Sequence, residues 1–517
     1  MSEENQLEDI IPIGNANANE NLIENLNPNE NNENNNNEGE NEESKKVNSF
    51  NTILSIWNTM IGSSTVSLPY NVYYSGIIPA IFLSMIYGLI CFYTCKIYND
   101  FGAKDPDFSI TVEKYFKKKF GPKIGQIGKF IQILFCCLIT IGGALIYFLI
   151  VNQNLYPICC LLLNKMGLEI DGKNITPEFD RFSIFYLGII VCFILFYFLI
   201  KREVGFLIKL SSSGIYFISI LIIFVIYTGI SSLINTEFDL QYIKNNTNSK
   251  VRHLKLFGEN PAKFAGTLSL GYFCHTAILP ILNSNKNQNN NNRDLFLGYS
   301  FVCLTFSLCG ILGYIGFSGS NFEVDFKDNW FMFFDYDNYF ILFLRFLNVF
   351  QLLSVFPILI YVVRLQIFNF FYGNDYPSKK HVIIYAISVL FLCLIVLYFA
   401  YNFLGNLLAI IGATTSFILI YTFPPLIKMI NYYLNLKGDN VDDNASEKNN
   451  ESIEEENNKI NDDFNIEKRI KKEINRITFK DILYFIGQSS FIIIGIITVV
   501  FQFVPINVFR INLKDEI

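Results

Sequence analysis

The chain has 517 residues, a formal net charge of −6, 51% hydrophobic residues and only 17% charged residues. Soluble domains carry charge on about a quarter of their residues, so a chain this apolar does not fit a set of soluble domains. The composition, with 52 Phe and 29 Tyr, excludes a soluble enzyme, a collagen, a coiled coil and a wholly disordered chain. It predicts an integral membrane protein with no nucleic-acid partner.

Windows without Asp, Glu, Lys or Arg mark the candidate spans, because about 20 apolar residues cross a bilayer and an ionised side chain there is costly. Two windows have room for two spans each: 47–95, with a turn near Ser75, Gly76 and Pro79, and 382–427, with a turn at 402–405. Seven windows hold one span each: 130–164, 182–200, 210–236, 264–285, 295–322, 346–363 and 482–509. The sequence therefore predicts eleven transmembrane helices.

Lys and Arg are concentrated in the segments that follow the second, fourth, eighth and tenth predicted spans, within 96–129, 201–209, 364–380 and 468–476. The segments that follow the odd-numbered spans, on the opposite side of the membrane, are short or acidic, most clearly 323–337. Because basic loops stay in the cytosol, we expect a cytosolic amino terminus and a luminal carboxyl terminus. Arg345 and Arg364 border the eighth span, and we interpret them as interfacial anchors whose side chains snorkel to the membrane surface.

Changes of composition predict the domain boundaries. Asn and Glu dominate the first residues and recur before the last span, and such segments cannot bury enough apolar surface to fold. The predicted parts are a disordered cytosolic tail at 1–46, a ten-helix transporter core at 47–430, a cytosolic linker at 431–480 that is acidic and then basic, an eleventh transmembrane helix at 481–509, and a luminal tail at 510–517.

Two spans contain the residues that interrupt helices. The first span carries one glycine, five hydroxyl residues and a proline within Trp57–Pro69, and the sixth carries glycines, hydroxyl residues and a proline within Gly266–Pro280. Backbone freed from a helix at membrane depth must line a cavity or be buried in protein. Interrupted helices at matching positions of two halves indicate the central site of a secondary transporter.

The spacing of the two interruptions predicts the fold class. If spans one to five and six to ten are two repeats, the odd number of helices per repeat makes the second one inverted. We therefore expect an all-α polytopic membrane protein with a five-plus-five inverted repeat and one extra helix. The alternative for either segment is a face of small residues that packs against a neighbouring helix.

Several of these segments resemble the amino acid/auxin permease family. The resemblance is carried by Trp57–Ser64, by Leu268–Leu279, by Asn292, Arg293 and Asp294, and by the run from Arg364 to His381. It implies the inverted-repeat fold of bacterial leucine transporters, and an amino acid as substrate. It further implies sodium coupling, arginine transport and a lysosomal or late endosomal membrane.

The resemblance also implies the site residues. The substrate contacts would be Thr59, Met60, Gly62, Ser63 and Ser64, with amides of Ser63 and Ser64 on the α-carboxylate and carbonyls of Thr59 and Met60 on the amine or side chain. Sodium would bind between the first and eighth helices. The matching hydroxyl on the eighth is Ser354, and no cofactor beyond this ion is expected.

The substrate and the coupling ion stay open at the sequence level. The charge-free windows contain no carboxylate that would neutralise a guanidinium, so a neutral amino acid fits about as well as arginine. His275 is the histidine within a predicted span, and we interpret it either as a proton-coupling or pH-sensing group or as a neutral, hydrogen-bonded interior residue. Proton coupling is the corresponding alternative to sodium.

The remaining motifs bear on function class and partners. No nucleophile, partnered carboxylate or phosphate loop suggests catalysis, so we expect no enzyme activity. The alternative to a transporter is a receptor that binds an amino acid and signals with little flux. Residues 1–46 carry no recognisable signal for cytosolic signalling partners. Asn174 and Asn245 lie in Asn-X-Thr motifs in predicted luminal loops and are candidate glycosylation sites.

Overall fold

The structure is a computed structural model. It describes residues 47–62, 64–105, 107–168, 170, 177, 182–201, 214–235, 237–239, 251–317, 327–335, 337–373, 377–436 and 479–503. Both predicted tails, and 437–478 of the predicted linker, fall outside these residues. The predicted domain boundaries therefore stay predictions.

The described chain is almost entirely helical. Its first half contains α1 (Ser49–Met60), α2 (Ser64–Ser75), α3 (Ile77–Gly102), α4 (Phe108–Phe120), α5 (Pro122–Lys165), α6 (Ile184–Leu199) and α7 (Gly214–Asn235). Two three-residue strands, β1 (Glu237–Asp239) and β2 (Val251–His253), pair in parallel.

The second half repeats the helical pattern. It contains α8 (Pro261–Gly271), α9 (His275–Asn283), a 3₁₀ turn (Gln288–Asn290), α10 (Asn291–Phe317), a 3₁₀ turn (Trp330–Phe333), α11 (Tyr339–Tyr372), α12 (Lys379–Ala400), α13 (Leu404–Ser416), a π-helical segment (Phe417–Thr422), α14 (Phe423–Leu436) and α15 (Phe479–Phe503).

Nine helices in the described part of the chain are long and apolar enough to cross a membrane. They are α3, α5, α7, α8 with α9, α10, α11, α12, α13 with α14, and α15. The shorter apolar helix α6 and the pair α1 and α2 lie where the sequence predicts two further spans. The all-α polytopic fold class is confirmed, and the total of eleven spans stays a prediction.

The turn between the first two spans lies where the sequence predicts it. Gly76 adopts a φ of 82°, which L side chains rarely tolerate. A Cβ at this position would also lie 2.5 Å from the backbone nitrogen of Gly258, whose N–H donates to the Ser75 carbonyl over 2.9 Å. Only glycine fits both the turn and the segment that packs against it.

The interpretation of the two arginines of α11 as snorkelling anchors is wrong. Arg345 is 3% exposed and Arg364 is 2% exposed. Arg345 donates to the Phe331 carbonyl over 2.7 Å, and Arg364 donates to the Leu199 carbonyl over 3.0 Å. Both guanidinium groups therefore bind carbonyls at the ends of neighbouring segments, because a buried cation needs acceptors that water no longer supplies.

The distribution of apolar side chains is that of a membrane bundle. The interior helices α5 and α11 pack along each other and contribute many fully buried residues. Outer helices instead expose large apolar side chains, such as Phe193 on α6, Ile223 on α7 and Phe391 on α12. A monomeric soluble protein rarely carries such a belt, which lipid would cover here.

Candidate substrate site

The first span is interrupted between Met60 and Ser64. Ile61 has extended dihedrals, with φ −86° and ψ 108°, so α1 ends and α2 starts anew after a short segment. The Gly62 carbonyl accepts the Thr65 N–H over 3.2 Å and the Thr65 hydroxyl over 2.7 Å. The hydroxyl residues of the motif thus satisfy part of the backbone that the break leaves without helical partners. The predicted contact Ser63 lies outside the described residues.

The sixth span is interrupted at Tyr272, Phe273 and Cys274, between α8 and α9. Tyr272 is fully buried, and its hydroxyl lies 2.9 Å from the Ser84 hydroxyl of α3, which anchors the interruption to the second span. Both predicted interruptions are therefore present in the structure. They also face each other, since a Cβ built on Gly271 would lie 3.3 Å from the Ser64 hydroxyl oxygen.

A cavity of about 120 Å³ lies between the two interruptions. This volume is several times the ~10–15 Å³ that one water molecule needs, so a small solute fits. The lining residues are Thr59, Met60, Gly62 and Ser64 of the first span, Ile139, Thr140, Gly143 and Tyr147 of α5, Leu270, Gly271, Phe273, Cys274, Thr276 and Ala277 of the sixth span, and Leu359 of α11. Four of the five predicted substrate contacts, Thr59, Met60, Gly62 and Ser64, therefore line the same cavity.

Four helix ends meet at this cavity. Residues of the carboxyl ends of α1 and α8 and of the amino ends of α2 and α9 line it. Helix ends carry partial charges of about half an elementary charge, negative at the carboxyl end and positive at the amino end. None of the described side chains that line the cavity carries a carboxylate, an ammonium or a guanidinium group. The arrangement suits a zwitterion with an uncharged side chain.

The wall formed by α5 is absent from the sequence prediction. Tyr147 covers the first interruption, because a Cβ on Gly62 would lie 2.7 Å from the Tyr147 hydroxyl oxygen. Thr140, Gly143 and Tyr147 stand three and four residues apart, which puts them on one helix face. The sequence signal for this face is weak, since the surrounding window is apolar throughout and its periodicity does not show which face meets the cavity.

Ser354, the predicted sodium ligand, is buried in α11 and donates its hydroxyl to the Gln351 carbonyl over 2.7 Å. Pro357 has no N–H to donate to the carbonyl four residues before it, that of Leu353. A hydroxyl oxygen and a carbonyl oxygen without its usual helical donor are therefore adjacent on one helix. This is suitable chemistry for a monovalent cation, and the sodium site stays a prediction.

His275 begins α9 and lies behind the cavity wall. Its Nε2 is 2.9 Å from the Thr94 hydroxyl of α3, and its ring stacks on Phe273 with the centroids 5.4 Å apart. The neighbouring residues Cys274 and Thr276 line the cavity, whereas His275 is 1% exposed. The candidate glycosylation sites Asn174 and Asn245 lie outside the described residues.

The loop between α10 and α11 packs onto the bundle on the predicted luminal side. Asp328 accepts the Gly405 backbone N–H at the start of α13 over 3.1 Å, and Asn329 donates to Gln153 of α5 over 2.9 Å. Burial raises the pKa of the Asp328 carboxyl to about 6, although the backbone N–H of Gly405 lowers it. Trp330 and Phe331 of the same loop are buried. The loop is therefore held against α13 and α5 by hydrogen bonds and buried aromatic side chains.

Comparison with solved structures finds a likeness to a transporter. The structure described as "Inward facing conformation of Mhp1" matches with 12% sequence identity and a TM-score of 0.49, over 75% of this chain and 77% of that one. A second structure, of Mhp1 in a closed conformation, matches with a TM-score of 0.44 and 13% identity, over 75% of this chain and 79% of that one.

Comparison of sequences finds relatives along most of the chain. A "Sodium-coupled neutral amino acid transporter 9 homolog" of Caenorhabditis elegans is 25% identical over 74% of this chain and 68% of its own length. A "Neutral amino acid transporter 9" of Danio rerio is 25% identical over 74% of this chain and 75% of its own length. Residues 45–440 match the family described as "Transmembrane amino acid transporter protein". This range includes both interrupted helices and the residues that line the cavity. The chain therefore belongs to the transmembrane amino acid transporter protein family, whose members are transporters and not enzymes.

Proposed function

We propose that this protein is a sodium-coupled secondary active transporter that moves an amino acid across a lysosomal or late endosomal membrane by alternating access. The observation that carries the proposal is the cavity shared by the two interrupted helices. A zwitterion placed there finds amide donors for its carboxylate and carbonyl acceptors for its ammonium group. The family resemblance of the sequence supports the organelle and the ion.

The cavity chemistry favours a neutral amino acid over arginine as the substrate. A guanidinium group in this cavity would have only backbone carbonyls and hydroxyls as partners, because the described lining side chains offer no carboxylate to balance its charge. Hydroxyls of Thr140 and Thr276 and apolar groups of Leu270 and Leu359 surround the space instead. The relatives from Caenorhabditis elegans and Danio rerio are both named neutral amino acid transporters.

The arrangement also supports alternating access. The cavity extends from the interruptions along Ile139, Thr140 and Ala277, toward the ends of α5 and α9 that the basic segments predict to be cytosolic. On the opposite side, Asp328 and Asn329 hold the luminal loop against α13 and α5. Alternating access requires the substrate to exchange with one side at a time, so the luminal loop must separate from α13 in the state that opens to the lumen.

Uptake into liposomes tests the proposal. Purified protein should accumulate a labelled amino acid when a sodium gradient is imposed, and replacement of sodium by choline should abolish accumulation. Assays across the standard amino acids, arginine included, identify the substrate. If a proton gradient alone drives equal accumulation, the transporter is coupled to protons and not to sodium. If the protein binds an amino acid but accumulates none under any gradient, the result favours the alternative function of a receptor.

A substitution in the first interruption tests the site itself. Ser64 is 4% exposed, lines the cavity and lies against Gly271, so Ser64→Trp fills the space that the substrate needs. We expect uptake to be abolished while the protein still inserts and elutes as a single species. Ser490→Trp is the matched control, because Ser490 is exposed on the outer helix α15. Unchanged uptake by the Ser64 variant would contradict the proposed site.

A further inference from the structure

Two consecutive glycines of α5 have opposite environments. A Cβ on Gly142 would lie 2.5 Å from Cγ2 of Ile411 on α13, so this glycine serves close helix packing. A Cβ on Gly143 would meet no heavy atom within 4 Å, and Gly143 lines the cavity. Gly143 therefore borders open space at the position where a Cβ would lie.

The position of this space relative to the interruptions indicates which part of the substrate it receives. Tyr147 lies directly over Gly62, in the interruption of the first span. Gly143 is one helical turn from Tyr147, a distance of about 5–6 Å along the axis of α5. A zwitterion whose charged groups lie at Gly62 has its side chain within reach of Gly143.

The surroundings of this space are those of a side-chain pocket. Ile139 lies one turn further along α5, and Phe273, Ala277 and Leu359 line the same cavity. The cavity wall therefore carries several apolar groups, to which Thr140 and Thr276 add hydroxyls. Apolar walls favour an uncharged side chain, and the free volume limits its length.

We propose that Gly143 is the specificity-determining residue that sets the upper size limit for the side chain of the transported amino acid. The proposal rests on the proposed function, because it assigns one end of the same cavity. The volume above Gly143 is the part of the cavity that a large substrate fills and a small one leaves empty. Adding atoms at this position excludes large substrates and spares small ones.

Size selectivity of variants tests this proposal. The wild-type protein in liposomes is first assayed with glycine, alanine, valine, leucine, methionine, phenylalanine and arginine, and the largest and smallest transported substrates are retained as probes. In Gly143→Val we expect the ratio of large to small substrate uptake to fall at least about tenfold, because one methylene of misfit in an apolar pocket costs 10- to 200-fold. Gly143→Ala should lower the same ratio by a smaller factor.

Two matched controls separate selectivity from packing. Gly487→Val on α15 also adds a side chain where nothing lies within 4 Å, but on the outer surface, and both substrates should be transported as by wild type. Gly142→Ala should lower the amount of folded protein without changing the ratio. An unchanged ratio in Gly143→Val, or equal loss of both substrates by folded protein, would overturn the proposal. Absence of any uptake by wild type would instead refute the proposed function.

Discussion

The imidazole of His275 lies in the wall between the cavity and the second span, and its contacts favour one of the two interpretations of this residue. The partner that the structure gives its Nε2 is the Thr94 hydroxyl, which itself lies within 3.0 Å of the Ile90 carbonyl. Its ring is enclosed by Phe273 and Tyr98, with centroids 5.4 and 5.1 Å away. These contacts favour a neutral imidazole that connects α9 to α3. The chain neighbours of His275, Cys274 and Thr276, both line the cavity.

Replacement of His275 tests this interpretation. In His275→Gln the amide can still bond to Thr94, so we expect sodium-driven uptake to stay within about threefold of wild type and its pH profile to keep its shape. Thr94→Val, which removes the same bond from α3, should behave similarly. Uptake against external pH, measured in liposomes, gives the comparison. Loss of pH dependence in the His275 variant alone would make this residue the proton-coupling group.

Single residues of the site differ in how well the sequence predicts them. The interruption of the first span is predicted because a glycine and hydroxyls break an otherwise apolar segment, and unsatisfied backbone is costly outside a cavity. The individual contacts Thr59, Met60, Gly62 and Ser64 are implied by the family resemblance. Tyr147 and the other α5 residues give no such signal. Their side chains meet the cavity only because α5 packs beside the two interruptions.

At the scale of helices, the sixth and tenth spans are joined by direct backbone contact. A Cβ on Gly412 of α13 would overlap the Gly266 carbonyl oxygen of α8, and a Cβ on Gly266 would overlap the Ala409 carbonyl oxygen. Small residues allow such close approach of membrane helices, where packing rather than water exclusion drives association. The position of the interrupted sixth span therefore depends on glycine at 266 and 412, because a side chain at either position would separate the two helices.

Substitution of Gly412 should separate these helices. We expect Gly412→Ala to destabilise the protein by about 3 kcal/mol, the upper end of the usual cost of overpacking, because the obstacle is backbone and cannot rotate away. The thermal unfolding midpoint in detergent measures the effect. Gly487→Ala, in a membrane helix with open space at the Cβ position, is the control and should leave the midpoint unchanged. A Gly412→Ala protein as stable as wild type would mean that the crossing is looser than described.

The contact of the loop between α10 and α11 with α13 depends on an ionisable group. Asp328 is buried and accepts the Gly405 N–H, and burial raises the pKa of its carboxyl to about 6. The charged groups near it are Lys263 of α8 and Lys327 of the same loop, both of which favour the ionised form. Since the pKa in the unfolded chain is about 3.9, folding favours the protonated carboxyl. The contribution of the Asp328 carboxyl to the stability of the fold is fully present below about pH 3.9 and is lost as pH rises through 6.

Asp328→Asn should therefore remove a pH dependence. The amide oxygen can still accept the Gly405 N–H, so we expect the variant to be more stable than wild type at neutral pH by at most roughly 3 kcal/mol, and equally stable near pH 4. Unfolding midpoints measured from pH 4 to pH 8 test this. Asp335→Asn in the same loop is the control, because Asp335 is exposed. A variant that is less stable than wild type at pH 8 would show that the loop requires the charge.

At the scale of the whole molecule, the distribution of Lys and Arg predicts the orientation. An odd number of spans places the termini on opposite faces, and the basic segments place the amino terminus in the cytosol. The nine long apolar helices, the shorter α6 and the interrupted pair α1 and α2 are compatible with eleven crossings. A count of ten or twelve would put both termini on one face.

Epitope tags at the two termini test the orientation. After selective permeabilisation of the plasma membrane, we expect an antibody to reach an amino-terminal tag, while a carboxyl-terminal tag becomes reachable only after the organelle membrane is dissolved. Protease protection of the same tagged chains gives an independent measurement. Equal accessibility of both tags would rule out an odd number of spans.

The sequence by itself determines the all-helical membrane fold class, the turn at Gly76 and the two interruptions, because charge, glycine and proline act on membrane helices locally. The tertiary structure alone decides that Ser64 and Gly271 meet, that Tyr147 covers Gly62, and that Gly143 faces the cavity while Gly142 faces α13. It also decides that Arg345 is buried rather than at the membrane surface. These properties depend on which faces of distant helices pack together, and in helices that are apolar all round the sequence carries no periodic signal that identifies the inner face.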